Sequence, residues 1–471
     1  MRKLIAFFFL LAAGNSLSQT NVSGGIYQNT TWTLAGSPYI VTGSIVVFPG
    51  KTLTIEPGCE VRFNADYTFN TGNFIYLEIR GTLVALGTDA NKIKFTSSDT
   101  TDGFFNWQGI SIRGSQGGNC QLDRIELHNA WYGIYNDIVE PGVTYNFTNC
   151  RFKNNSYALQ FNANMNYTNC IFEKNGVGQA AQISYGSMTA TNCQFINNFC
   201  SVTWSNYINL TNCVFSGNTN NIIGSPGSVQ NCSFFNNAFG FAESSNLQIS
   251  NCLFDGNDVG IDESGSSTIS NSIFTNNTVA VKLGENSILT NNTITENGTG
   301  VQVRGTNPSS AQIMDNQLCN NVNYNLENLT DKNFQVNTNC FCSSDSTTIE
   351  NGIYDGYDDI TRGLVNYAIY NDSCSSIISY VTKVLLNETA ELDVVDANYT
   401  NIYPNPTDDF VTVNITTTNA SIEIIDAQGK LLQTTTIKNG GIVNLSTYET
   451  GMYIFKITTE NGTTIHRISK N

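Results

Sequence analysis

Asn149-Cys150-Arg151-Phe152 returns as Asn169-Cys170-Ile171-Phe172 and again as Asn192-Cys193-Gln194-Phe195. The quartet continues as Asn212-Cys213-Val214-Phe215, Asn231-Cys232-Ser233-Phe234 and Asn251-Cys252-Leu253-Phe254. Degenerate copies follow at Asn271-Ser272-Ile273-Phe274, Asn291-Asn292-Thr293-Ile294 and Asp315-Asn316-Gln317-Leu318. Successive copies lie 19 to 24 residues apart. Three residues past each Phe-like position stands a second Asn, from Asn155, Asn175 and Asn198 through Asn297 and Asn321. Two registers sharing one period mark a stacked repeat, in which each copy buries its apolar face only against its neighbours.

The interior of one copy says what kind of repeat it is. Leu247 and Ile249 alternate with polar residues, Ser250-Asn251 break the alternation, and Cys252 and Phe254 resume it. After Gly256-Asn257 comes a third apolar stretch, Val259 to Ile261. Three short strands of period two, joined at Asn or Gly, predict one coil of a parallel β-helix. A helical repeat needs longer runs with apolar spacing near 3.6, which are missing. Asn tolerates left-handed backbone angles and bonds its own backbone, so it suits a tight bend between strands. At about 4.8 Å per coil, stacked Asn side chains also reach one another's amides.

These repeats resemble the right-handed parallel β-helix family, the pectate-lyase-like solenoids, over residues 41–342. The upstream part is similar as well: Thr52-Leu53-Thr54-Ile55-Glu56 stands between Pro49-Gly50 and Pro57-Gly58, and Trp107-Gln108-Gly109-Ile110 opens a later coil. The stretch from Ile353 to Tyr367 resembles the segment that closes such helices. Relatives often carry Trp-Trp-Gly just before it, where this chain has Asn339-Cys340-Phe341-Cys342. The resemblance implies an all-β right-handed solenoid, and in the family's enzymes a polysaccharide site on an outward strand row.

The whole chain has 471 residues, 65 of them Asn, with 13% charged residues and a net charge of −16. That balance excludes nucleic acid as a partner, because no basic patch collects phosphates. The 27 Phe and 21 Tyr argue against disorder. Arg2 and Lys3 before an apolar run at residues 4–13, then Ser16-Leu17-Ser18, read as a signal peptide over residues 1–18, cut near Gln19. No stretch is long enough for a transmembrane segment. Export places the 13 cysteines in an oxidising compartment. With only His128 and His466 present and no Cys-x-x-Cys, no structural zinc site is expected.

Cys150, Cys170, Cys193, Cys213, Cys232 and Cys252 share a register that alternates with Phe and so points inward. The expectation is a column of small buried side chains with free thiols, since same-facing stacked residues make poor disulfide geometry. Asn149, Asn169, Asn192, Asn212, Asn231 and Asn251 form the matching ladder at the turn. Cys319, Cys340, Cys342 and Cys374 are the better disulfide candidates.

No outward row holds paired carboxylates on adjacent coils, as acid/base glycoside hydrolysis requires. Asp255, Asp258, Asp262 and Glu263 form the densest acidic group and could hold Ca²⁺, but Arg151 and Arg304 are expected several coils away. Asp355, Asp358 and Asp359 also have the oxygen count for Ca²⁺ and are expected to cap the helix instead. Catalytic, cofactor and metal residues are therefore not assigned. His128 is read as structural. Ile171, Val214, Leu253 and Ile273 form a discontinuous apolar stripe if they face outward. Trp107, Trp131, Tyr132, Tyr135 and Trp204 would offer a sugar-stacking surface in an enzyme.

Beyond Cys374 the texture changes. Short strands at residues 410–415, 421–426, 431–435, 442–445, 452–458 and 463–468 predict a small antiparallel sandwich. Tyr403-Pro404-Asn405-Pro406, the turn containing Gly429, Gly451-Met452-Tyr453 and the terminal Lys470 resemble the type A C-terminal sorting domain of the type IX secretion system. That resemblance implies passage across the outer membrane of a Gram-negative bacterium, then release or surface attachment. The expected organisation is a signal peptide at 1–18, β-helix at 19–342, closing segment and linker at 343–400, and sorting sandwich at 401–471. The leading functional expectation is a secreted or cell-surface scaffold for adhesion or glycan contact. The rival is a polysaccharide lyase, hydrolase or epimerase.

Overall fold

The computed structural model describes residues 19–65, 74–99, 106–138, 142–176, 179–183, 186–203, 205–223, 226–371, 374, 400–403, 407–415, 419–426, 430–438, 441–459 and 462–471. The signal peptide, Trp204, Pro404, Asn405, Pro406 and Gly429 lie outside the described residues. The chain divides into two compact units, Met1–Leu385 and Leu386–Asn471.

The first unit is a parallel β-solenoid. Each full coil lays down three short strands, one in each of three parallel sheets. In one coil these are Leu247–Ser250, Leu253–Asp255 and Val259–Gly265. The first of the three belongs to a 15-stranded sheet. The second and third belong to two sheets that merge near the N-terminus, where the long strand Tyr39–Val47 pairs with both Glu60–Phe63 and Tyr76–Ile79. Strand registers carry the sequence repeat directly. Phe172 faces Phe195, Phe195 faces Phe215, Phe215 faces Phe234, and Phe234 faces Phe254.

Stacking these identical residues fills the core. The rings from Phe172 to Phe274 lie 4.6–4.8 Å apart with planes within 5° of parallel. That distance is the strand spacing, so the ring separation follows from the backbone ladder. Each fully buried Phe contributes roughly 1.5–3 kcal/mol by leaving water.

The two turns between strands have different solutions. At the first, Asn149, Asn169, Asn192, Asn212, Asn231 and Asn251 all adopt φ between 50° and 55°. The following cysteine then points inward. At the second, the left-handed residue is the one before the Asn register: Asn154, Lys174, Asn197, Gly217, Asn236 and Gly256. The register itself, from Asn155 to Asn297, is buried. Asn218 shows the pattern. Its Nδ2 donates to Asn237 Oδ1 at 3.1 Å and to Phe195 O at 2.9 Å, while its backbone N–H donates to the same Asn237 oxygen at 2.9 Å. Each amide thereby satisfies the backbone of the coil before it, at a bend where the strand ladder is interrupted.

The second unit holds antiparallel sheets of three and four strands. Val411 and Val413 from one sheet and Ile422, Phe455 and Ile457 from the other share a single buried core. The sequence-predicted strands are all present, with Thr400–Tyr403 added at the start. Among the described residues no helix is long and apolar enough to cross a membrane.

Candidate functional site

Side chains available for function stand on the outward rows. Where the chain turns after His128, Ala130 begins the next inward row, and Trp131, Tyr132 and Tyr135 are left half-buried on the outside. Tyr132 pairs in register with Tyr157 of the next coil. The Trp131 and Tyr132 rings stack at 5.2 Å, and Tyr132 and Tyr157 stack at 5.2 Å with planes 20° apart. Tyr135 extends the group at 5.4 Å from Tyr132, and its hydroxyl accepts from Gln108 Nε2 at 2.9 Å. Beside it, Arg113 donates to Glu78 at 2.9 Å, and Glu78 is also bound by Arg80. The result is an aromatic platform spanning two coils with a polar flank. Trp107 does not join it: its side chain is fully buried and stacks on Phe63 at 3.8 Å. The expectation that it offers sugar-stacking surface is therefore corrected. The indole follows the inward alternation of its coil, and its Nε1 donates to His128 O at 2.9 Å.

A second feature is a cleft of about 460 Å³ lined by Glu243, Asp262, Ser264, Glu285, Arg304 and Thr306. Here the sequence expectation about distance is overturned. Arg304 Nη2 bonds Asp262 Oδ1 and also donates to Glu263 O at 2.7 Å. The long guanidinium stem reaches back along the solenoid axis, past Lys282, whose Nζ is 3.6 Å from Asp262 Oδ2. Three of the carboxylates here, those of Asp262, Glu263 and Glu285, are engaged. Glu263 is buried and accepts from Gly265 N–H at 2.7 Å and Gly284 N–H at 2.6 Å. Glu285 accepts from Thr306 N–H, Thr306 Oγ1 and Asn307 N–H, which hold its carboxyl below the usual range. A carboxylate stabilised in its charged form is a poor general acid.

Asp255, Asp355 and Asp358 serve local bonds, whereas Asp258 is exposed. Asp255 accepts from Asn276 Nδ2 at 2.8 Å. Asp355 is buried and accepts from Tyr357 N–H at 2.9 Å and Val365 N–H at 2.7 Å, while Asp358 accepts from Asp355 N–H. These bonds tie the closing turn together. His128 lies in the outward row of the strand Ile125–His128, with Lys153 in register on the next coil. Burial, then Lys94, Arg151 and Lys153, lower its pKa to about 3, so its ring is neutral near pH 7.

The cysteine column is buried and its thiols are free. Burial pushes the Cys170, Cys193 and Cys232 thiols well above their ordinary range. In later coils the same position carries Ser272, then Asn292 and Asn316: the Ser272 backbone N–H donates to Asn292 Oδ1, and Asn292 Nδ2 to Asn316 Oδ1. Near the solenoid end, Cys319 is bonded to Cys342 and Cys340 to Cys374. Along the apolar outward row, Ile171, Leu253 and Ile273 are half-buried, while Val214 is only 2% exposed.

In the second unit, Gly451 opens the strand Gly451–Thr459 and Tyr403 ends Thr400–Tyr403. Tyr453 is buried and its hydroxyl donates to Glu449 O at 2.6 Å. Lys470 is 8% exposed, and its Nζ lies 3.5 Å from Asp409. Residues 401–471 match the family described as the secretion system C-terminal sorting domain. This segment is a type IX sorting domain. It implies export by that secretion system. A second family, described as adenovirus EB1 55K protein/large t-antigen, matches residues 202–307, within the repeated coils. No curated protein matches the sequence.

Solved structures similar to the chain include tailspike protein 3 of bacteriophage CBA120, at 10% identity and a TM-score of 0.36. That match covers 74% of this chain, which spans 57% of the tailspike's length. The A-module of the Azotobacter vinelandii mannuronan C-5 epimerase AlgE6 is similar at 14% identity and a TM-score of 0.29, covering 75% of this chain and 91% of the module. Endopolygalacturonase I of Stereum purpureum follows at 13% identity and 0.22, covering 75% and 94%.

Proposed function

We propose that the protein is a non-catalytic secreted or surface scaffold that contacts glycans through the platform of Trp131, Tyr132, Tyr135 and Tyr157. In this reading a signal peptide at residues 1–18 starts export, the sorting domain completes it across the outer membrane, and the solenoid presents the platform outside. The observation that carries it is the run of half-buried stacked rings across two coils. Exposed aromatic surface packs on the C–H faces of pyranose rings, and Gln108 and Arg113 beside it supply hydrogen-bonding partners for hydroxyls, with Glu78 holding Arg113 in place. A polysaccharide-active enzyme is the second reading, favoured by the Arg304–Asp262 pair in the cleft. Against it stand Glu263 and Glu285 beside that pair, whose carboxylates are taken up by backbone N–H groups.

A glycan array run with a polysaccharide-degradation screen, with and without Ca²⁺, tests both. Binding without turnover is expected, and Tyr132→Ala should weaken it at least tenfold. Release of unsaturated or shortened sugars overturns the scaffold reading, and release lost in Asp262→Asn places the chemistry in the cleft.

A further inference from the structure

Another concavity lies at the C-terminal end of the solenoid. The strand Val365–Tyr370 is the last of the 15-stranded sheet and pairs with Phe334–Asn339. Between it, the short helix Ser346–Glu350 and the turn at Tyr357 opens a groove of about 750 Å³. Its lining combines Tyr357, Tyr367 and Tyr370 with the amides of Asn333, Gln335 and Asn366. Tyr367 and Tyr370 are fixed at their hydroxyls, which donate to Ser346 O at 3.3 Å and Ser344 O at 3.1 Å. Tyr357 is 76% exposed. Glu350 also lines the groove, its carboxyl beside the Tyr367 hydroxyl.

We propose that this groove is a second saccharide-binding site, taking a neutral oligosaccharide. Three tyrosines supply faces for sugar rings, while the Nδ2 groups of Asn333 and Asn366 and the Oε1 of Gln335 supply donors and an acceptor for hydroxyls, their other ends being held by Leu364 N–H, Ala368 N–H and Asn337. The lining contains no Lys, Arg or His, and the protein carries −16 overall, so an anionic ligand is disfavoured. Burial of Glu350 beside Asp355 and Asp358 raises its pKa, which further disfavours added negative charge. The two disulfides preorganise the groove. Cys340–Cys374 ties the end of one flanking strand to the chain just past the other, and Cys319–Cys342 ties the preceding coil to the same end. The site shares no residue with the side-face platform and does not rest on it.

The test is calorimetric titration of the full chain with cello-, xylo-, manno- and maltohexaose. At least one is expected to bind, with at least a tenfold loss in Tyr357→Ala, whose exposed side chain is not part of the core. Glu350→Ala should also weaken binding, whereas Tyr132→Ala on the platform should leave it unchanged. Failure of all four sugars to bind at millimolar concentration overturns the proposal. So does binding that Tyr132→Ala abolishes and Tyr357→Ala does not, a result that leaves the platform reading standing. Capture of an extended peptide by the groove in preference to every sugar also overturns it.

Discussion

His128 Nε2 is buried, makes no hydrogen bond, and lies 4.0 Å from Glu126 Oε2. With Lys94, Arg151 and Lys153 close by, adding a proton is costly, and the folded pKa falls from 6.5 to about 3. The unfolded chain then binds the proton more readily than the folded one over that window. Stability is therefore full above pH 6.5 and is lost as pH falls toward 3, by up to about 1.4 kcal/mol per pH unit. Urea unfolding at pH 7 and pH 4.5 should show the loss, and His128→Gln should shrink it. An unchanged pH dependence in that variant would show that other groups carry it. The cysteine column makes a separate prediction at this scale. Burial of every side chain in the column predicts that Cys150, Cys170, Cys193, Cys213, Cys232 and Cys252 resist alkylation in the native protein. Intact mass after denaturation should then show six modifiable thiols from this column, and three bridges among them would refute it.

The coil is the next scale, and its two turns should respond differently to mutation. Asn237 Oδ1 accepts both Asn218 N–H and Asn218 Nδ2, and its own Nδ2 donates to Phe215 O at 3.1 Å. Asn237→Leu removes these partners inside a dry core and should cost about 2–5 kcal/mol, at 1–3 kcal/mol per stranded group. Asn251 needs only its φ of 54°, at the edge of the stack. There Asn251→Ala should cost about 1–2 kcal/mol and Asn251→Gly less, because glycine accepts the left-handed angle. Thermal unfolding of the three variants checks the order. Equal losses would mean that the amide bonds add nothing beyond turn geometry. The Phe stack beside these turns has no such polar dependence and should tolerate Phe215→Leu at below about 2 kcal/mol.

At the scale of the molecule, the sorting domain and the solenoid are separate units with separate cores. Deleting residues 401–471 should therefore leave the solenoid folded while abolishing its appearance outside the cell. Fractionation with circular dichroism of the retained product measures both halves of that statement. A truncated chain that still reached the medium would refute the role of the domain, and one that lost its β signal would refute its independence. The long solenoid also explains why side-face and end sites can coexist. Its surface is a row of repeated positions, so a local change in a few residues builds a site without disturbing neighbouring coils.

The repeat was legible in the sequence because a solenoid translates period directly into contact: residues 20 apart are neighbours on adjacent coils, as Asn257 and Asn277 are. The inward cysteines and phenylalanines followed from alternation alone, and the secretion address from Tyr403, Gly451 and the other residues of a compact motif. Reach and closure were not legible. Sequence spacing placed Arg304 too far from Asp262, because a count of coils ignores how far a guanidinium extends along the axis. The same spacing could not tell that Trp107 turns inward while Trp131 stays out: Trp107 stands in register with the buried Ala130, and Trp131 comes one position later in its coil. Nor could it find the end groove, whose walls come from residues 333–370 and meet only where the repeat stops and the chain folds across its own last coil. Sequence by itself determined the periodic body of this protein, since there each residue's neighbours are fixed by the period. Tertiary structure alone decided the aperiodic places, where side-chain length, turn geometry and disulfide closure choose the neighbours instead.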